Sequence, residues 1–402
     1  MKNKFPGYFK PTTQEIKKLW DKALFTLDAN VLLNLYRYSD ETRDEFIKIL
    51  EKIKGRVWIP NHAAREFFQR RLDVIDDQEK AYENAINSIG EIEKGFKNSR
   101  RHPFIDEKLL KRYTKLSSEI IEELTNNQRI HGQRVHDDEI MDKIESVFSE
   151  NVGEEYDDDA INKIIAEGEE RFQKKIPPGY KDANKSDDSK DIRQYGDLII
   201  WKQILDKSTS EKKGVILVTD DRKEDWWLRF KGKILQPRPE LVKEFKVTTN
   251  QNFHMYQSDR FLEFAREYLN EEVNQNAIDE IKELRKLDEN ERRKHLKMRR
   301  HLFELSKVKD ELHDKASKMQ SELAYLKAKK DSIKKRHLEE DFTNEYKDGD
   351  EREDFRLKKI VDMLFELSQR EEMLKSDLEK NNNQLQNIES ELDFLKRRKY
   401  YL

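Results

Sequence analysis

The sequence predicts an α/β fold built on a parallel sheet with a helical insert, followed by a long α-helical coiled-coil hairpin. Three observations carry that expectation. Two apolar runs, Leu24–Leu27 and Val215–Val218, end abruptly in carboxylates, as buried strands do on reaching the carboxyl edge of a sheet. Helical periodicity, with charge sorted into blocks, fills most of the chain between them. Through the last third, apolar residues keep a seven-residue repeat.

Composition limits what such a chain can do. Of 402 residues, 41% are charged and 35% hydrophobic, too polar for one large globule, so the excess charge must lie along extended helices. The net charge of −3 excludes a global basic field, and any nucleic-acid binding must come from local patches. The absence of cysteine excludes disulfides and thiolate metal sites, leaving oxygen and imidazole ligands. There is no apolar leader and no run long enough to cross a bilayer, so a soluble, cytoplasmic protein is expected.

In chain order, a short aromatic lead, Phe5-Pro6-Gly7-Tyr8-Phe9, precedes a helix from Thr13 to Trp20. Leu24–Leu27 follows as a strand that runs into Asp28 and a turn to helix. Asp28 has a plain alternative role as a helix N-cap. Beyond the Ser39-Asp40 cap signal, Phe46, Ile49 and Leu50 recur at helical spacing until Gly55 breaks the pattern. Val57-Trp58-Ile59-Pro60 is a strand ended by proline, and Asn61 opens a helix carrying Glu66.

From about residue 72 to 191 the chain reads as an inserted helical segment rather than core. Residues 97–134 hold nine Lys or Arg against five Asp or Glu, and residues 137–170 hold two against fourteen. Arg100, Arg101, Lys111 and Arg112 in the basic half are candidates to track a phosphate backbone, against the plainer reading of a solvated helix face. Lys181 joins them, in the turn Ile176-Pro177-Pro178-Gly179-Tyr180-Lys181-Asp182 that ends the insert. Tyr195-Gly196-Asp197 starts a helix with Asp197 in its first turn, and Val215–Val218 then runs into Thr219-Asp220-Asp221, with Asp225-Trp226-Trp227 beyond. Ile234-Leu235 and a helix from Ser258 to Tyr268 close a first domain, residues 1–269.

Asp28, Glu66, Asp197 and Asp221 thus each sit at a strand end or in the first turns of a helix beside one, and a parallel sheet brings those ends together. Clustered carboxylates repel unless cations neutralise them, and all-oxygen ligation suits Mg²⁺ or Mn²⁺. Two such ions can activate water and stabilise a leaving oxygen in phosphodiester cleavage.

These stretches resemble a known family. Leu27-Asp28-Ala29-Asn30-Val31-Leu32-Leu33, Glu66, Gly196-Asp197-Leu198-Ile199 and Val218-Thr219-Asp220-Asp221 look like the acidic motifs of PIN-domain nucleases. The Pro-Pro-Gly-Tyr-Lys-Asp turn and Asp221-Arg222-Lys223-Glu224-Asp225-Trp226-Trp227 further resemble a bacterial PIN-like subfamily with a long helical insert. The resemblance implies a Mg²⁺- or Mn²⁺-dependent endonuclease acting on RNA or single-stranded nucleic acid, of a kind common in toxin or defence systems. It maps the family's four acids to Asp28, Glu66, Asp197 and Asp221. Asp220 and Asp225 are extra carboxylates that can share or shift metal ligation, and Asn30 and Thr219 match positions that orient acids by hydrogen bonds. The long insert departs from compact PIN domains and bears on access to the cleft.

The last part, residues 270–402, is of a different kind. Leu305, Leu312, Met319, Leu326 and Ile333 form one seam, and Leu357, Leu364, Leu378, Leu385 and Leu392 another, across a turn near 347–350. Lys309, Lys330, Glu371 and Asn381 interrupt the seams and are expected to fix register or partner choice. With helices of unequal length, the stretch before about Ser306 is expected to lack an intrachain partner, which points to a homodimer or another protein partner. Two other readings stay open: a catalytically silent PIN-like binding module that scaffolds partners through the coiled coil, and a phosphotransfer enzyme using the same acids.

Overall fold

The computed structural model describes residues 1–97, 105–183, 191–341 and 351–399. Thr12 opens α1 (Thr13–Lys22) with a capping box, its hydroxyl accepting from the Glu15 amide while the Glu15 carboxylate accepts from its own. Strand β1 (Leu24–Leu27) is buried along its length and leads into α2 (Ala29–Asn34). Helix α3 (Asp40–Lys52), capped by Ser39, connects to β2 (Val57–Trp58), after which α4 (Asn61–Lys97) begins.

Helix α4 runs without a break through the start of the expected insert, and α5 (Glu107–Gln133) folds back along it. The pairing is antiparallel: Thr114 Oγ1 donates to Glu93, while the rings of Tyr82 and His131 meet further along. The acid-rich stretch that follows departs from its reading as insertion outside the core. In α6 (Glu139–Phe148) the residues Ile140, Ile144, Val147 and Phe148 are buried in the same core as the sheet, as is Ile164 of α7 (Asp158–Gln173). Many of its acids lie at helix starts, where negative charge is stabilising: Asp138 and Asp157 accept the first free amides of α6 and α7. That leaves the apolar faces free to pack inward.

Helix α8 (Gly196–Glu211) precedes β3 (Val215–Val218). A hairpin of β4 (Trp227–Phe230) and β5 (Lys233–Pro237) turns at Lys231-Gly232, both with positive φ, as a two-residue hairpin turn requires. Then come α9 (Pro239–Thr249), β6 (Phe253–Tyr256) and α10 (Ser258–Tyr268). The main sheet is wholly parallel, in the order β2-β1-β3-β6, with Leu24–Leu27 opposite Val215–Val218 and those opposite Phe253–Tyr256. Its carboxyl edge therefore carries Asp28 and the chain after Val218 side by side. Neither β6 nor the β4–β5 hairpin is anticipated by the sequence reading: β6 is short and carries His254 inside an otherwise apolar run.

The chain divides into two compact units, Met1–Lys286 and Leu287–Leu402. Helix α11 (Gln275–Asp341) starts in the first, where Ile278 and Ile281 join the core and Arg285 pairs with Asp259, beyond the Leu269 boundary expected from sequence. In the second unit α11 and α12 (Glu351–Lys399) pair antiparallel: Lys309 meets Glu389 at 2.7 Å and Arg370 meets Glu322 at 3.0 Å. Ala316, Leu326, Leu374, Leu385 and Leu392 are buried there. The polar interruptions are partnered, with Glu371 bonded to Lys330 and Asn381 Nδ2 donating to the Leu312 carbonyl. The pairing also reaches closer to the start of α11 than expected, since His301 bonds Glu391 at 3.1 Å, in front of the Ser306 limit. No helix among the described residues is long and apolar enough to cross a membrane.

Candidate active site

The sheet's carboxyl edge positions the acids. The Asp28 amide continues the β1–β3 ladder by donating to the Val218 carbonyl at 3.0 Å, and the chain then turns into α2. Asp28 stands at the N-cap position of α2 yet makes no capping bond with its side chain, so the plain alternative for this residue fails. Its Oδ2 instead accepts from Asn30 Nδ2 at 2.5 Å and from Thr219 Oγ1 at 2.7 Å. Asn30 Oδ1 in turn accepts from the Asp220 amide, and Thr219 Oγ1 from the Asp221 amide. The two strand ends are thereby tied to each other through two polar side chains.

The remaining acids arrive from helices. Glu66 lies in the second turn of α4 and pairs with Arg70 at 2.8 Å, and Asp197 is the second residue of α8. His62, one turn before Glu66, lies against Gly196, where a Cβ would come within 3.1 Å of its Nε2. Burial, outweighing the pull of Glu66, holds that imidazole below its usual value and so favours its neutral form. Burial pushes the Asp28 carboxyl up to about 7, and the charges of Glu66, Asp197 and Asp221 push the same way against the Thr219 hydrogen bond. Three acids from three separate elements thus bear on one carboxyl group.

A fifth acid and a lysine complete the cluster, and neither was singled out in the sequence. Lys223 Nζ lies 2.7 Å from Asp182 Oδ2, 2.9 Å from Asp221 Oδ2 and 3.2 Å from Asp197 Oδ2. Burial acts to lower the pKa of this ammonium, but Asp197, Asp221 and Asp182 outweigh it and hold the group well above the usual lysine range. Trp226 Nε1 donates to Asp197 at 3.2 Å, and Trp227 Nε1 to the Asp221 carbonyl at 2.6 Å. The one signal in the sequence is a cation two residues past a strand-end acid, inside a loop otherwise rich in acids.

The two extra carboxylates are used elsewhere. Asp220 turns from the cluster: it accepts from the Ser258 amide and hydroxyl at the start of α10 and from Asn34 Nδ2. Asp225 is fully buried, and its Oδ2 accepts the Gly179 and Lys181 amides at 3.1 Å each. Burial and the charge of Asp197 push its carboxyl up to about 6. Through Oδ2 it holds the turn that delivers Asp182, while its buried Oδ1 has no hydrogen-bond partner among the described residues.

Three of the five expected phosphate contacts fall within the described residues. Arg100 and Arg101 lie outside the described residues. Lys111 and Arg112 are exposed on α5, Lys111 pairing with Glu107 one turn before it. Lys181 is exposed beside the Asp182 turn and pairs with Glu224 at 2.6 Å.

Among the described residues no group of three Asp, Glu or His side chains is set to hold a metal ion as it stands. The donor chemistry nevertheless fits a hard divalent cation on the Asp28 side. The donors are all carboxylate oxygens, and Asp28, whose pKa is raised first by burial and then by the charge of Glu66, has no cation among its described partners.

In comparison with known proteins, residues 24–241 match the family model described as PIN like domain. No curated protein and no solved structure matches.

Proposed function

The chain belongs to the PIN-like domain family, whose match covers more than half of it, and from that premise we propose that it is a metal-dependent endonuclease acting on RNA or single-stranded nucleic acid. Nuclease-type chemistry is the general expectation for the family. One observation supports the specific reading: Asp28, Glu66, Asp197 and Asp221, drawn from four different elements, lie close enough for the last three to raise the first. Asp220 and Glu280 are spent on backbone and hydroxyl donors at helix starts, whereas Asp197 and Asp221 share the single ammonium of Lys223 and Asp28 has no cation among its described partners.

Asp28 and Glu66, with Asp197 and Asp221 beside them, would hold Mg²⁺ or Mn²⁺. The cation would supply an activated water and charge stabilisation at the cleaved phosphodiester. Asn30 and Thr219 hold Asp28 in one orientation, so the carboxylate need not reorganise on binding. Trp226 does the same for Asp197. His62, kept neutral, is placed to take or hold a proton beside Glu66. Lys181, Lys111 and Arg112 are proposed phosphate contacts. The long insert supports membership of the PIN-like subfamily that the motifs resemble. Residues 277–402 are read as a coiled coil carrying a homodimer or another protein partner, and a monomer on light scattering of the full-length chain would refute the homodimer.

The test is incubation with labelled single-stranded RNA, single-stranded DNA and duplexes in Mg²⁺, Mn²⁺ or EDTA. Cleavage of single strands that EDTA abolishes is expected. Metal-independent cleavage, or none on any substrate, would refute the reading.

A further inference from the structure

Lys223 is the one lysine whose ammonium sits among the site's acids in the described structure, and its surroundings are built to keep it there. Its own amide donates to Asp221 Oδ1 at 2.8 Å, so backbone and side chain both engage the same acid. The two residues that flank the loop's end, Trp226 and Trp227, are buried and bonded to Asp197 and to the Asp221 carbonyl. The third partner, Asp182, is delivered by the Gly179–Asp182 turn, which Asp225 clamps through two backbone amides. Asp182 is 7% and Lys223 13% exposed, so this is no mobile surface lysine.

From this geometry we propose that Lys223 permanently fills the place of one of two cations, so that the site takes a single divalent ion on its Asp28–Glu66 side. The inference rests on the nuclease reading above and specifies its metal content. Space and charge both argue for it. Oxygen ligands stand roughly 2.1 Å from Mg²⁺. An ion that close to Asp182, Asp197 and Asp221 would occupy the position of the ammonium that already lies 2.7 to 3.2 Å from all three. A divalent ion placed beside it would face a like charge at close range. On the other side the acids meet less cationic charge: among its described partners Asp28 is bonded only to the neutral groups of Asn30 and Thr219, and Glu66 pairs with Arg70, an exposed side chain of its own helix. Lys223 then acts as a positioning residue. It keeps Asp197 and Asp221 in place before any ion arrives, and removing its charge leaves three close carboxylates that attract a second cation.

Mn²⁺ titration of the full-length protein at physiological salt, followed by electron paramagnetic resonance, counts the ions. Tight binding of one Mn²⁺ per chain is expected in the wild type, two in Lys223→Met and one in Lys223→Arg, which keeps the charge. The wild-type count does not depend on whether a variant folds. Two tight ions in the wild type would overturn the role of Lys223 while leaving the nuclease reading intact, and so would a single ion in a Lys223→Met protein that melts like the wild type. If wild type and Lys223→Met both bind none, the nuclease reading itself fails and the inference with it.

Discussion

The sheet edge and the helical hairpin both set lysines against acids in partly buried places, and they balance them in opposite ways. At the sheet edge Lys223 faces Asp182, Asp197 and Asp221, with Asp28 and Glu66 beyond. In the hairpin one acid, Glu371, faces two lysines, Lys330 at 2.9 Å and Lys375 at 2.8 Å. The hairpin is saturated, and its charges serve the structure by matching the two helices. The sheet edge is short of positive charge, and a fold keeps such a deficit only where something else supplies the cation. Excess like charge, rather than the mere presence of acids, therefore separates a site from a surface.

The contrast between the two regions predicts its largest effect at Asp28. Asp28→Asn should reduce cleavage on the order of 10³-fold, since it removes charge where charge must be met in the reaction, while the metal-free protein melts no lower than the wild type. Turnover within a few-fold of wild type would erase the distinction between the two regions.

Opposite pH slopes come next. Asp28 has a folded pKa of about 7, above its unfolded value, so the stability linked to it is complete below about pH 4 and lost as pH rises through 7. The loss is about 2–4 kcal/mol at most, and Mn²⁺ or the Asp28→Asn change should flatten it. Lys375 and Lys330 pull Glu371 down to about 2, so its contribution is present above the ordinary glutamate range and lost as pH falls through 2. Thermal melts of the metal-free protein from pH 2 to 8 should therefore show one transition weakening toward acid and another weakening toward neutrality. Slopes of the same sign would contradict the opposed charge balance of the two regions.

A smaller effect bears on the structural side. Asn381 is buried with its Oδ1 unpartnered, so Asn381→Leu should raise hairpin stability by about 1 kcal/mol, with cleavage unchanged. A polar group inside such a seam specifies register at the expense of stability, and a destabilised variant would show that the bond to the Leu312 carbonyl outweighs that penalty.

The smallest effect belongs to the basic helix. Lys111→Glu with Arg112→Glu should flatten the slope of log binding against log salt by about 1 for each phosphate no longer neutralised, leaving metal binding unaltered. An unchanged slope would make α5 a solvated face like the outside of the hairpin.

Neighbouring residues alone dictate the local elements and where their ends fall. Apolar continuity marks Leu24–Leu27 and Val215–Val218 as strands buried on both faces, Ser39 and Thr12 mark helix starts, and a seven-residue repeat marks the paired helices, because each pattern is written in residues close along the chain. The same local patterns put Asp28, Glu66, Asp197 and Asp221 at element ends that a parallel sheet gathers. Which way each side chain turns is settled only when the chain has folded. Asp220 and Asp221 are adjacent, yet one caps α10 through Ser258 and the other meets Lys223, a choice made by Asn34, far earlier in the chain, and by the packing of α10. Asp182 reaches the cluster only because buried Asp225 holds its turn, and His254 sits within a strand because β6 pairs with β3. The physical reason is common to all of these: periodicity records which face of an element is buried, whereas a carboxylate's partner is set by groups that folding brings from distant parts of the chain.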